Sequence, residues 1–218
     1  MSERMKKAKE IYYWDEFRSY IMEMEGFSPE DFQKLASNMQ KLIINSRQKD
    51  PVAMFFEIIA ESQKLWDKEA PFPFNGDWHH FLVPGVILSS LRNNGYEIVD
   101  KDIHEGIRRG AQARISCGFT GICGGANSMG SVAAIIKKAT PLHEENRQEI
   151  MRQVALVLEE IARLKRRCCK RSSYIALKET IKYLAANNYF LPEREILCPY
   201  SSQNDMCARE ECPFWAAQ

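Results

Sequence analysis

The chain has 218 residues, 45% of them hydrophobic and 27% charged, and a net charge of +1. This is enough for one globular soluble domain, or a compact core with an appended module, and gives no global reason to expect a polyanionic partner. The longest apolar run, Phe81 to Leu91, is broken by Pro84 and two serines and falls well short of the ~18 residues of a membrane span.

The first third reads as helices. Lys9 to Met24 sets Ile11, Tyr12, Phe17, Tyr20, Ile21 and Met24 near one face, and Gly26 ends the helix. Ser28-Pro29-Glu30-Asp31 supplies an N-cap, a first-turn proline and acidic first-turn residues, so a second helix follows to about Arg47. Asp50-Pro51 repeats the signal for a third, to about Lys68. Ala70 to Trp78 is a loop with two prolines, an Asn-Gly pair and three aromatics. His79-His80 then lead into an apolar helix holding Pro84 and closed by Asn93-Asn94-Gly95, and Asp100 caps another that runs to about Ile115.

Ser116 to Ser131, with Cys117, Cys123 and five glycines, interrupts this regular pattern. A helix beginning near Ala126 aims its free N–H groups at Cys123. Thr140-Pro141 starts the longest helix, from about His143 to Arg167, acidic in front and basic at its end. Ser172 or Ser173 caps a last one to about Ala186. The tail from Tyr189 lacks periodicity, and no run alternates like a half-buried strand. The predicted fold is all-α: about eight packed helices with an irregular cysteine-rich tail folded back on them. Residues 1–70 form an N-terminal helical segment and 71–218 a cysteine-rich helical domain, joined as one continuous unit.

Seven cysteines with a charged, non-secretory start point to the cytoplasm, where they serve as metal ligands or reactive groups more often than as disulfides. Cys198, Cys207 and Cys212 follow C-P-x7-C-x4-C-P. A segment so poor in periodicity needs something to order it, and ligand bonds do so. Proline directly after cysteine occurs in iron–sulfur ligation, whereas zinc sites favour tighter cysteine pairs. An iron–sulfur cluster, 4Fe-4S, is therefore favoured over zinc. The fourth ligand is Cys117, Cys123, Cys168 or Cys169, unless one iron stays open as a Lewis acid.

Cys168-Cys169 lie among Arg163, Lys165, Arg166, Arg167, Lys170 and Arg171, cations that lower a thiol pKa; most of these basic residues read as the end of a helix. His79 or His80 is a candidate proton carrier, and Cys123, Cys168 and Cys169 candidate reactive thiols. The amides of Gly121, Gly124 and Gly125, with Arg166, Arg167 and Arg171, suit a small anion. Without interleaved aromatics, the basic run is a weak signal for nucleic acid.

In combination, His79-His80-Phe81-Leu82-Val83-Pro84, Cys117-x5-Cys123-Gly-Gly-Ala-Asn, Cys168-Cys169-Lys-Arg-Ser-Ser and the terminal C-x8-C-x4-C-P-F resemble an uncharacterised cysteine-rich domain of archaea and anaerobic bacteria. The resemblance covers about residues 75 to 215, and in some members the domain is joined to a methyltransferase-like one. It implies an oxygen-sensitive centre and carries no activity. The expected function is iron–sulfur enzymology, of sulfur-transfer or Lewis-acid lyase type, on a small anionic substrate. The alternatives are a metal-stapled adaptor for a methyltransferase or corrinoid protein, and a zinc thiol-redox protein.

Overall fold

One helix has no solvent face. In the computed structural model, which describes residues 3–113, 119–204 and 206–216, the helix Trp78–Asn93 (α5) is buried at every residue from Trp78 to Leu91. Its sequence explains this: beyond His79-His80, the run FLVPGVILSSL is apolar all round with only small serines interspersed, so the helix must be enclosed. Ser89 escapes an unsatisfied hydroxyl by donating to the Ile43 carbonyl at 3.2 Å.

The other helices are arranged around it. Glu3–Ala8 (α1) and Trp14–Glu25 (α2) precede Pro29–Asn45 (α3) and Pro51–Lys64 (α4). Asp100–Gln112 (α6), Gly124–Ile136 (α7), Glu144–Ala162 (α8) and Cys169–Ala186 (α9) follow α5. Helices α3, α4, α6, α7 and α9 all pack on α5, and α8 covers α7 and α9. Among the described residues there are no strands; the tail holds two 3-10 turns, Ser201–Gln203 and Arg209–Glu211, and one isolated bridge between Cys198 and Trp215. The core is continuous from Met22 to Phe214, so the two predicted segments share it.

Several helix starts fall where local chemistry places them. Ser28 and Asp31 form a reciprocal capping box, and the Asp50 carboxylate accepts from the Val52 and Ala53 amides. Gly26 ends α2 with φ +76, as a left-handed C-cap. Several boundaries differ from expectation: the first long helix starts at Trp14 and not Lys9, and the third stops at Lys64. Asp100 is the first residue of α6, whose Asp102 side chain accepts from the Val99 amide instead. The longest helix stops at Ala162, leaving Arg163 to Arg167 as a linker. The last helix begins at Cys169, capped by the Cys168 sulfur, so Ser172 and Ser173 lie inside it, buried.

The tail also departs from expectation. It does not lack an apolar anchor: Ile196, Tyr200 and Phe214 are buried. Tyr200 packs on Phe56 and Phe74, and Phe214 on Tyr174. These aromatic contacts hold the tail against α4 and α9.

Close helix approach depends on missing side chains. A Cβ on Gly110 of α6 would stand 2.2 Å from the His80 carbonyl oxygen. Gly110→Ala is expected to cost about 1–3 kcal/mol by forcing α5 and α6 apart. Thermal unfolding will show this as a Tm several degrees lower, and an unchanged Tm would mean that the two helices do not approach so closely.

Candidate functional site

Two helix starts meet at the buried N-terminal end of α5. Gly125, in the first turn of α7, lies so close to α9 that a Cβ there would stand 2.9 Å from the Ser172 carbonyl oxygen. Gly124 leaves room for the His80 ring, which a Cβ would overlap at 2.0 Å. The two glycines thus serve first to let helices close on each other. Ser128 completes the lock, donating to the His80 carbonyl at 2.9 Å. Gly121 takes φ +72 in the loop before Cys123.

The convergence encloses a cavity of about 370 Å³. His79, His80, Gly121, Gly125, Cys123, Cys168, Cys169, Arg167 and Arg171 line it, with Leu158, Ile161 and Leu164 as its apolar wall. Both histidines, both vicinal cysteines and Cys123 therefore share one site, although they are scattered over 90 positions of sequence (about 90, set by the His79–Cys169 span).

His79 stacks on Trp78, and its Nδ1–H donates to the Gly76 carbonyl at 3.0 Å. That bond fixes the tautomer and leaves Nε2 as a lone-pair acceptor. Burial, then the charge of Lys170, pushes the His79 pKa well down, so the ring is neutral. His80 is likewise neutral through burial; one ring nitrogen meets the Ala113 carbonyl, and Nδ1 has no partner among the described residues.

Lys170 and Arg171 occupy the first turn of α9, only 1% and 3% exposed. They begin a helix, and are not part of the end of the preceding one, as most of the basic run was expected to be. Lys170 donates to the Phe74 carbonyl at 2.8 Å and lies 3.1 Å over the Phe74 ring. Arg171 donates to the Leu164 and Arg166 carbonyls, and its Nε has no partner among the described residues. Neither cation has a carboxylate partner among those residues. Burial pulls the Lys170 pKa down to about 7, against the neighbouring sulfurs of Cys168, Cys169 and Cys198.

The tail brings three more sulfurs to these cations. Cys212 is within electrostatic reach of Arg171, Cys198 and Cys207. Tyr174 donates to the Cys198 sulfur at 3.6 Å and is also influenced by Cys168. Each sulfur of this set meets a donor. Cys168 accepts from the Arg171 amide at 3.5 Å and from Asn204 at 3.7 Å. Cys207 accepts from the Arg209 amide at 3.4 Å, across a turn in which Arg209 takes φ +50, a conformation that few non-glycine residues adopt. Cys212 accepts from the Phe214 amide, the first N–H available beyond Pro213.

The described cysteines are all thiols. Cations do not prevail at Cys168: burial raises its pKa, and the Arg171 amide and nearby cations only oppose the rise. Among the described residues no group of three or more His, Cys, Asp or Glu side chains is gathered to hold a metal ion. Cys117 lies outside the described residues.

Family comparison covers most of the chain. DUF5714, a family of unknown function, matches residues 39–215. The chain belongs to this family. The match reaches back into α3, well before the motifs near His79, and takes in both the cavity and the tail. No curated protein and no solved structure matches. No described helix is long and apolar enough to cross a membrane.

Glu25 is absent from the sequence-based site. It ends α2, where an acidic side chain opposes the helix dipole, and that local conflict is the signal that could have found it. Burial raises its carboxyl pKa to about 7, partly opposed by Arg167. A raised carboxyl pKa favours the protonated folded state, so stability is lost as pH rises from the ordinary carboxyl value of 4.5 through about 7. Glu25→Gln mimics the protonated form. Its Tm is expected to match the parent near the lower limit and exceed it at about pH 8; equal Tm values at both pH values would contradict the assigned environment.

Proposed function

We propose that the protein binds an iron–sulfur cluster of the 4Fe-4S type through Cys168, Cys198, Cys207 and Cys212, next to a thiol-bearing cavity for a small anionic molecule. The observation that carries this reading is the gathering of four hydrogen-bonded sulfurs around two buried basic side chains, Lys170 and Arg171, that have no carboxylate partner among the described residues. The start of α9 is already the positive end of a helix dipole, and Lys170 and Arg171 add two buried cations there. A buried ion without a counter-charge costs several kcal/mol even after relaxation. Four thiolates around iron and sulfide form an anionic group that offsets this cost. N–H and O–H bonds to the sulfurs are the outer contacts by which proteins tune such a centre.

The same geometry favours Cys168 as the fourth ligand: it shares Lys170 and Tyr174 as neighbours with Cys198. When bound, the group supplies redox capacity and a rigid anionic anchor. With four cysteine ligands no iron is left open, which favours sulfur-transfer over Lewis-acid lyase chemistry. Cys123 and Cys169 are the thiols that remain in the cavity, and Arg167 donates to the Cys169 sulfur at 3.6 Å. A cytoplasmic setting and a methyltransferase-like partner are compatible with this reading.

Single alanine variants at the six described cysteines test the ligand set in anaerobically reconstituted protein. Cys168→Ala, Cys198→Ala, Cys207→Ala and Cys212→Ala should lose the visible cluster absorption and its EPR signal while keeping helical circular dichroism. Cys123→Ala and Cys169→Ala should retain both. A cluster that survives Cys168→Ala but is lost in Cys123→Ala or Cys117→Ala would move the fourth ligand into the glycine–cysteine stretch.

A further inference from the structure

Arg167 stands between two groups that make competing demands on it. On one side its guanidinium donates to the Cys169 sulfur at 3.6 Å, in the cavity that both residues line. On the other its charge acts on Glu25, the last residue of α2. Glu25 Oε2 is buried, has no hydrogen-bond partner among the described residues, and stands at the negative end of a helix dipole. A neutral carboxyl tolerates that position, whereas a buried carboxylate requires a counter-charge and donors. Burial holds the Glu25 pKa up at about 7, so the group is neutral below that pH and charged above it.

The groups around Glu25 leave Arg167 to answer this need. α3 and the loop before α5 pack on the turn that follows it, where Gly26 faces Ala70 and Phe27 meets Phe32 and Trp66. Their cations are engaged, Lys68 with Asp31 at 2.8 Å and Lys34 with Asp67 at 3.1 Å. Lys7 of α1 lies over the Tyr20 ring, and Arg18 of α2 borders a cleft beside Asp77 and Gln40. His79 and His80, which also feel Arg167, are neutral. Among the described residues Arg167 is the one whose charge opposes burial at Glu25. It is free to turn: Arg167 is exposed and outside both α8 and α9. Arg171 meanwhile holds the linker backbone by donating to the Leu164 and Arg166 carbonyls, so only the Arg167 side chain has to move.

We propose that Glu25 and Arg167 form a pH-operated switch on the cavity thiol: protonated Glu25 leaves Arg167 on Cys169, and ionised Glu25 draws the guanidinium off the sulfur. The switch rests on the cavity's role in thiol chemistry, assigned above, and does not involve the cluster. A cation held on a sulfur favours the thiolate, the form that attacks. Loss of that cation, beside a new carboxylate, disfavours it. The protein thereby restrains Cys169 at higher pH, where thiols in general become more reactive.

Alkylation of the full-length, anaerobically reconstituted protein by iodoacetamide tests this. Fragment-resolved mass spectrometry gives the rate at Cys169 relative to Cys123 in the same cavity, with iron assayed on the same samples. Glu25→Gln should match the wild type at about pH 5.5 and react about fivefold or more faster at Cys169 at about pH 8. A merely structural Glu25 gives the opposite sign, because Glu25→Gln is then the more stable and better protected protein at the higher pH. With Arg167→Gln, a change at an exposed residue, the gain from adding Glu25→Gln should shrink to about twofold or less. Equal or slower Cys169 alkylation in Glu25→Gln at about pH 8, a gain that persists in full without Arg167, or no reaction at Cys169 in any variant would overturn the switch. The predicted pattern in protein without iron would uphold the switch and count against the cluster; its absence with iron in place would do the reverse.

Discussion

The accumulation of positive charge at the start of α9 is the constraint on which this site turns. A helix N-terminus ordinarily carries acidic or neutral residues. Here Lys170 and Arg171 stand in the first turn, buried, and Arg167 precedes them. Backbone carbonyls and aromatic faces moderate the cost: Lys170 has the Phe74 carbonyl and the rings of Phe74, Trp78 and Tyr200, and Arg171 has two carbonyls. None of these carries a negative charge. The groups nearby that can become anionic are the sulfurs, and burial holds Cys168 and Cys212 toward the thiol form. A multiply charged anionic centre made from those sulfurs satisfies both the cations and the burial at once.

The rest of the fold holds this arrangement in place. α5 is enclosed on every side, so its first turn, with His79 and His80, lies in the interior and not on the surface. Gly110, Gly124 and Gly125 let α6, α7 and α9 approach within backbone contact of that turn or of one another. The aromatic set of Phe56, Phe74, Tyr174, Tyr200 and Phe214 docks the tail over α4 and α9 and carries Cys198, Cys207 and Cys212 to the same end of the molecule. The cavity and the cysteine cluster are thus two faces of one junction, with Cys168 between them.

The helices were legible where local chemistry decides: Ser28-Pro29 and Asp50-Pro51 specify starts, Gly26 specifies a stop, and the all-apolar run after Trp78 specifies an enclosed helix. Cys168 as an N-cap was not legible, because sulfur caps rarely and two serines, Ser172 and Ser173, stood close behind it. Reading Arg163 to Arg167 as a helix end followed the ordinary dipole preference, but the helix stops at Ala162 and these residues form a linker. The grouping of His79, His80, Cys123, Cys168 and Cys169 was anticipated from residue type, whereas their shared cavity arises from glycine notches between helices distant in sequence. Glu25 was missed because its partner, Arg167, lies on a linker no periodicity could place. The tail was expected to depend on ligand bonds, and its aromatic docking adds an apolar anchor that the missing periodicity hid.

Metal and sulfide analysis of the wild-type protein, purified without oxygen, tests the central claim most directly. The account predicts about four irons and about four acid-labile sulfides per chain, with a Tm that falls when they are chelated. Stoichiometric zinc without iron, or a metal-free protein of unchanged stability, would contradict it.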